Sequence, residues 1–184
     1  MFKKTVNWLL TAAFCVLLSG CCCSGKNECI KKSEDVYINL LCDLMPCVKT
    51  DNLIPAVMAS QRAKEAGCFE AVFHRDGRVT ECAHSNVHIL KDGALITAPT
   101  DNLILPGIAR KHIIKACGQL GIGVEERPYQ VEDLFTADEV LVSSAGALCL
   151  SADKIDGKAA GGKAPELLKK LQAKLLDEFM TQTE

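Results

Sequence analysis

Three short stretches of the sequence carry residue types that could act together in catalysis. Lys49 precedes a predicted helix, Glu81 ends a predicted strand, and Gly107-Ile108-Ala109 opens a second predicted helix. A lysine amine that is partly removed from water can condense with an aldehyde, because desolvation lowers its pKa. A carboxylate can keep a ring nitrogen protonated, and the N–H groups at a helix start can bind a phosphate.

Each of these signals has an ordinary alternative when it is taken alone. Most lysines are solvated surface charges, a strand-end glutamate can simply be exposed, and many helices begin with Pro or Gly. The apolar neighbours of Lys49, which are Val48, Leu53 and Ile54, make a partly desolvated amine possible. The Ser143-Ser144-Ala145-Gly146 stretch follows a predicted strand and adds hydroxyl and backbone donors. The stretches become informative only in combination.

Hydrophobic periodicity predicts the elements that position these residues. Helical spacing and a closing Gly67 predict a helix over 52–66, so Lys49 lies just upstream of it. The turn dipeptides Asp76-Gly77 and Asp92-Gly93 predict two hairpins in one local antiparallel sheet, with Glu81 at the far end of the first return strand. The hairpin strands cover 69–74, 78–80, 86–90 and 94–98; the other predicted elements are strands over 36–41, 124–130, 139–144 and 147–150 and helices over 106–120, 131–136 and 164–180.

Length and composition limit the class of protein. With 184 residues, 48% of them hydrophobic, the chain can form one domain with a core. A net charge of −2 gives no basic field, so no nucleic-acid partner is expected. Seven of the eleven cysteines lie at or before Cys47. The later four lack paired metal-ligand spacing, so we expect buried, reduced thiols and no metal site; they are Cys68, Cys82, Cys117 and Cys149.

The first 23 residues have the pattern of a secretory signal. Lys3 and Lys4 precede an apolar run over 8–18, which is too short to span a bilayer comfortably. Leu18-Ser19-Gly20-Cys21 resembles a bacterial lipobox, and lipidation of Cys21 would anchor the chain to a membrane. The alternative is that this head arose by gene fusion, truncation or start-site choice. Residues 24–48 are interpreted as a linker that contains a short strand.

Five short motifs follow one another in the rest of the chain. They are Lys49-Thr50-x-Asn52, Glu65-Ala66-Gly67-Cys68-Phe69-Glu70-Ala71, Val79-Thr80-Glu81 followed by Ser85-Asn86-Val87, Leu105-x-Gly107-Ile108-x-Arg110, and Ile155-Asp156-Gly157. Glu81 lies 32 positions after Lys49, a separation similar to that in the class IV aminotransferases. The chain from about residue 49 to 179 resembles the larger, C-terminal domain of these enzymes. These are fold-type IV pyridoxal phosphate enzymes, and the resemblance is strongest to D-amino-acid transaminases.

The resemblance implies a fold, a cofactor and site residues. The implied fold over 49–184 is α+β, an antiparallel or mixed sheet with flanking helices, and the implied cofactor is pyridoxal 5′-phosphate. Lys49 would bond to the cofactor and later carry the proton between the substrate's α carbon and C4′ of the cofactor. Glu81 would contact the pyridine nitrogen, and Leu105 would pack against the ring.

The phosphate group would lie on the turn at Gly107. The resemblance implies that the backbone amides of Ile108 and Ala109 hold it, with help from Ser144 and Ala145. Family members commonly carry a hydroxyl residue in place of Ala109, and often in place of Ala145. Each lost hydroxyl contact should weaken phosphate binding by about 0.5–1.5 kcal/mol.

The resemblance also implies an activity, which is the exchange of an amino group between a D-amino acid and a 2-oxo acid by a cytoplasmic homodimer. The family has a smaller N-terminal domain of about 100 residues, and the 48 residues before Lys49 do not resemble it. We therefore expect a member without that domain. The alternatives are an inactive remnant or a lipoprotein fusion and, within the family, a branched-chain aminotransferase or an aminodeoxychorismate lyase.

Overall fold

The structure is a computed structural model that describes residues 36–39 and 54–183. The signal-like segment over 1–23, most of the linker over 24–48, and Lys49 lie outside the described residues. Among the described helices, none combines the length and hydropathy needed to cross a membrane. The described elements in chain order are β1 (Val36–Asn39), α1 (Ile54–Glu65), β2 (Glu70–Arg75), β3 (Arg78–Cys82), β4 (Asn86–Lys91), β5 (Ala94–Thr97), α2 (Ile108–Gln119), β6 (Gly123–Glu126), α3 (Val131–Thr136), β7 (Glu139–Ser143), β8 (Leu150–Ala152), β9 (Lys154–Ile155), β10 (Lys158–Ala159) and α4 (Pro165–Thr183).

The described strands form two five-stranded mixed sheets. The first has the order β10-β9-β1-β2-β3, with β1 parallel to both of its neighbours. The second has the order β6-β5-β4-β7-β8, and there only the β5–β6 pair is parallel. The predicted α+β class with a mixed sheet and flanking helices is confirmed.

The prediction that the two hairpins share one sheet is wrong. The β2–β3 hairpin belongs to the first sheet and the β4–β5 hairpin to the second. A tight connection, in which the N–H of Cys82 donates to the carbonyl of Ser85 at 2.8 Å, leads the chain from one sheet to the other. Because β4 is paired with β5 on one side and with β7 on the other, it has no edge left for β3.

The helices agree with their predicted positions, and α3 has the predicted bounds. Helix α2 begins at Ile108 rather than at Pro106, because Gly107 keeps an extended backbone (φ −63°, ψ 147°) and serves as its N-cap. Gly121, with φ 70°, follows the end of this helix. That left-handed conformation is the one in which glycine commonly ends helices.

Two strands are shorter or displaced relative to the prediction. Strand β6 ends at Glu126, before Pro128, instead of continuing through 130. The strand predicted over 147–150 is wrong, because the carbonyl of Ser144 accepts from the N–H of Leu148 at 2.9 Å and folds this part into a turn. Strand β8 begins only at Leu150.

The core fills three interfaces between stacked layers. Side chains from both sheets meet in the largest cluster, which includes Val72, Ile89 and Val142. The other face of the second sheet packs against α2 and α4, and α1 covers the first sheet. Cys117 and Cys149 are buried, free thiols, as predicted, whereas Cys82 is buried and Cys68 is partly buried.

Candidate active site

The carboxylate of Glu81 ties the first sheet to the segment that precedes α2. Its side chain lies in β3 and is only 3% exposed. Its Oε2 atom accepts a hydrogen bond from the backbone N–H of Leu105 at 3.0 Å. A buried carboxylate requires such donors, because its desolvation is otherwise expensive. Glu81 therefore determines where the backbone before α2 runs.

Leu105 presents an apolar side chain beside this carboxylate. Both of its backbone polar groups are bonded, the N–H to Glu81 and the carbonyl to Nδ2 of Asn86 at 2.9 Å. The side chain itself is 43% exposed. An exposed leucine on a segment with fixed backbone bonds can serve as one wall of a site for a flat, partly apolar ligand.

The start of α2 can bind an anion. Gly107 caps the helix without a side-chain hydrogen bond, and the first turn contains no acidic residue. The N–H of Lys111 donates to the carbonyl of Gly107 at 3.1 Å, which leaves the N–H groups of Ile108, Ala109 and Arg110 at the positive end of the helix dipole. A Cβ atom at position 107 would collide with the side-chain amide of Asn86, so only glycine fits there.

Asn86 brings the second predicted anion-binding segment to the same place. Its side chain is 5% exposed and contacts the segment at Leu105 and Gly107, while its backbone pairs with Ser143 on β7. Ser144 therefore begins its turn next to the start of α2. The Ser144 hydroxyl accepts from the N–H of Ala147 at 3.2 Å, and Ala145 is exposed.

Arg110 adds a buried positive charge in the first turn of α2. It is 5% exposed, and its Nη2 atom donates to the carbonyl of Ala98 at 2.9 Å and to Oε2 of Glu126 at 2.6 Å. Within the described part of the chain, its Nε atom has no hydrogen-bond partner. Its pairing with Glu126 offsets the cost of placing a cation near the positive end of the helix dipole.

The structure places several of the described site residues near one another. Glu81 and Leu105 are bonded directly, and Asn86 lies against Gly107 and pairs through its backbone with Ser143, the residue before Ser144. Lys49 lies outside the described residues, so its distance from Glu81 stays a prediction. Asn86 and Arg110 lie within two of the five motifs, but no role was predicted for either of them or for His88.

His88 lies on the helix-covered face of the second sheet and is fully buried. Its Nδ1 is 2.8 Å from the hydroxyl of Thr97, and its Nε2 is 2.8 Å from the hydroxyl of Ser143. Burial, and next the positive charge of Arg110, lower the pKa of His88 from 6.5 to about 3. The ring is therefore neutral at physiological pH, with one nitrogen donating and the other accepting.

The lowered pKa predicts a loss of stability in mild acid. Above pH 6.5 neither state of His88 is protonated, whereas below it the unfolded state gains a proton that the folded state cannot bind. The free energy of unfolding should fall by about 1.4 kcal/mol per pH unit as the pH drops below 6.5 toward 3. Urea denaturation between pH 6.5 and pH 5 measures this slope. His88→Gln should remove it, and His84→Gln, at an exposed residue, is the control; equal slopes for wild type and His88→Gln would contradict the prediction.

Comparison with known proteins identifies the family. The model of the amino-transferase class IV family matches residues 43–155, a range that contains every predicted site residue. The D-alanine aminotransferase of Bacillus licheniformis is 38% identical over 145 residues, covering 78% of this chain and 50% of the relative. That of Staphylococcus haemolyticus is 42% identical over 134 residues, covering 72% of this chain and 46% of the relative.

Solved structures give the same result at the level of the fold. The branched-chain amino acid aminotransferase of Escherichia coli superposes with a TM-score of 0.70 at 28% identity, covering 79% of this chain and 52% of that one. The chain thus spans about half the length of the relatives that it matches. Enzymes of this family are pyridoxal phosphate-dependent transaminases. From the motifs, the fold and these matches, the chain belongs to the class IV aminotransferase family.

Proposed function

We propose that this chain binds pyridoxal 5′-phosphate through the site described above and serves the exchange of an amino group between a D-amino acid and a 2-oxo acid. The observation that carries the proposal is the hydrogen bond from the Leu105 N–H to the buried carboxylate of Glu81. Leu105 lies two residues before Gly107, the N-cap of a helix that has no side-chain cap and no acidic residue in its first turn. An acid for a ring nitrogen is thereby held beside the turn that would bind a phosphate.

The residues present fit the cofactor at both of its ends. Glu81 is a buried carboxylate that can hold a proton on a pyridine nitrogen. Gly107 allows a close approach to the backbone, and the N–H groups of Ile108 and Ala109 are available to phosphate oxygens. Ser144 can donate its hydroxyl hydrogen while its oxygen accepts from Ala147.

The chemistry divides between the cofactor and the chain. When bound, pyridoxal phosphate supplies an electron-withdrawing ring that stabilises negative charge at the substrate's α carbon. Glu81 keeps the ring nitrogen protonated, which maintains that electron demand. The amine of Lys49 would hold the cofactor at its aldehyde carbon and, once displaced by the substrate's amino group, would carry the proton between the α carbon and that carbon. Leu105 would pack against the ring.

The site also contains two departures that weaken it. Ala109 and Ala145 offer no hydroxyl, so the phosphate would rest on backbone N–H groups and Ser144. Each missing hydroxyl reduces binding by about 0.5–1.5 kcal/mol. We therefore expect lower cofactor affinity than in relatives that carry both hydroxyl groups.

The preference for D-amino acids rests on the curated relatives and on the sequence around the site. The D-alanine aminotransferases of Bacillus licheniformis and Staphylococcus haemolyticus are 38% and 42% identical to this chain. A putative branched-chain-amino-acid aminotransferase of Methanocaldococcus jannaschii is also 38% identical, so identity alone does not separate the two groups. The context Glu81-x-x-His84-Ser85-Asn86-Val87 and the strand over 69–75 favour the D-amino-acid group. The branched-chain alternative is retained as an outcome of the substrate test below.

Binding of the cofactor tests the first part of the proposal. Mixing the purified protein with pyridoxal phosphate should produce a visible absorbance band, and reduction with borohydride should fix the cofactor to the chain. Mass spectrometry of the reduced protein should place it on Lys49. Lys49→Ala should abolish both signals, whereas Lys64→Ala, at an exposed residue of α1, should keep them. A band that Lys49→Ala leaves unchanged would defeat the assignment of the lysine.

Two glycine substitutions, one at the N-cap of α2 and one within the helix, test the proposed phosphate-binding turn. Gly107→Ala forces the Asn86 amide away, so Asn86 can no longer donate its hydrogen bond to the Leu105 carbonyl. The segment before α2 is then less well held, and pyridoxal phosphate should bind about tenfold more weakly or worse. Gly118→Ala, near the end of the same helix, meets open space and should leave affinity unchanged while stabilising the helix by about 1 kcal/mol. Fluorescence titration measures affinity, and thermal unfolding measures stability. Equal affinities for both variants would contradict the proposal that the turn at Gly107 binds the phosphate.

Substrate profiling tests the reaction class. With 2-oxoglutarate as acceptor, amino transfer from D-alanine should exceed transfer from L-leucine and L-isoleucine. The reverse order would favour the branched-chain alternative. Cofactor binding without transfer from any donor would favour the inactive-remnant alternative.

A further inference from the structure

His88 occupies the middle strand of the second sheet, between the two strands that lead to the proposed phosphate site. Its direct partner on β5 is Thr97, the last residue of that strand. On β7 its direct partner is Leu141, and its ring reaches two residues further to Ser143, the last residue of that strand. One ring therefore joins the ends of both neighbouring strands.

The three groups form a closed and buried arrangement. His88 is 0% exposed, and Thr97 and Ser143 are each 1% exposed. Both ring nitrogens are 2.8 Å from a hydroxyl oxygen, so neither nitrogen lacks a partner. A neutral imidazole has one donor and one acceptor, so one hydroxyl must donate to the ring and the other must accept from it. The two hydrogen bonds hold the ring in one orientation, because rotation of the ring would break both of them at once.

Each hydroxyl is followed directly by a part of the site. Thr97 precedes Ala98, whose carbonyl accepts from Arg110 in the first turn of α2. Ser143 precedes Ser144, which holds the turn through Leu148 by its carbonyl and its hydroxyl. The turn at Ser144 is thus one residue away from Ser143, which contacts one ring nitrogen. The start of α2 is connected to Thr97, which contacts the other nitrogen, through the Ala98 carbonyl and the side chain of Arg110.

We propose that His88 is a positioning residue for the phosphate-binding part of the site, holding the start of α2 and the turn at Ser144 at a fixed separation through Thr97 and Ser143. This inference rests on the proposed function, because it concerns the same anion site. A histidine with an ordinary packing role would stabilise the sheet without favouring one end of the ligand over the other. A positioning histidine favours the phosphate end.

The choice of ligand separates these two roles. Pyridoxal has the same ring and aldehyde as pyridoxal phosphate and lacks the phosphate group. His88→Phe keeps a flat ring of similar size and removes both hydrogen bonds. It should lower affinity for pyridoxal phosphate about tenfold and leave affinity for pyridoxal unchanged. A parallel loss for both ligands, or no loss for either, would overturn the proposal.

Milder variants keep the test decisive if His88→Phe does not fold. Thr97→Val and Ser143→Ala each remove one hydroxyl and should each lower the preference for pyridoxal phosphate over pyridoxal. Their effects should not add to that of His88→Phe, because they act through the same two bonds. His88→Gln keeps a donor and an acceptor and should restore part of the preference. His112→Phe, on the partly exposed side of α2, is the control.

Hydrogen exchange on the protein without ligand distinguishes failure of this inference from failure of the proposed function. In His88→Phe, the amides of Lys111 and Leu148, which are bonded to Gly107 and Ser144, should exchange faster together. The amide of Asp92, bonded to Asp138 at the opposite end of the strands, should be unchanged. If the wild type binds no pyridoxal phosphate, the proposed function fails, and exchange alone decides the role of His88. Unchanged exchange at Lys111 and Leu148 would overturn that role.

Discussion

The hydrogen bond between the buried carboxylate of Glu81 and the backbone N–H of Leu105 is the contact on which the candidate site depends. Glu81 belongs to the first sheet, whereas Leu105 lies on the connection between β5 and α2, next to the second sheet. A carboxylate that is 3% exposed needs donors to offset its desolvation. The same requirement that makes the bond stabilising also places an acid beside the start of α2, so folding and the proposed chemistry depend on one interaction.

Two further buried polar side chains near the site, those of Asn86 and His88, also connect separate segments of the chain. Asn86 contacts the segment before α2 through its side chain and Ser143 through its backbone, and His88 reaches hydroxyls on both neighbouring strands. Buried polar groups of this kind are costly when unpaired and directional when paired. They hold two turns in one arrangement before any ligand is bound, which reduces the ordering that binding requires.

The anion site shows how a sequence change can be offset by its surroundings. Ala109 and Ala145 remove hydroxyl contacts that the family resemblance implies, but the backbone N–H groups at the start of α2 do not depend on side-chain identity. Arg110 is held by a carbonyl and by the carboxylate of Glu126, which compensates its charge. The backbone N–H groups therefore carry the larger part of the proposed phosphate binding.

Local signals in the sequence were sufficient for most elements. Asp76-Gly77 and Asp92-Gly93 both adopt positive φ, as their turns require, and the spacing of apolar residues located the described helices to within a few residues. The motifs identified the family, because several residue types in order are specific even where each alone is weak. Boundaries failed where a side chain or backbone bond overrode the pattern, as at Ser144, whose bonds form a turn where a strand was predicted.

The sequence by itself therefore determined the turns, the helices, the family and the residue types of the site. Only the tertiary structure decided that the two hairpins belong to different sheets, that Asn86 lies against Gly107, and that His88 joins Thr97 to Ser143. These facts depend on strand pairings between residues far apart in the chain, such as Asn86 with Ser143. No local periodicity encodes such pairings, because they are selected by the packing of whole sheets against one another.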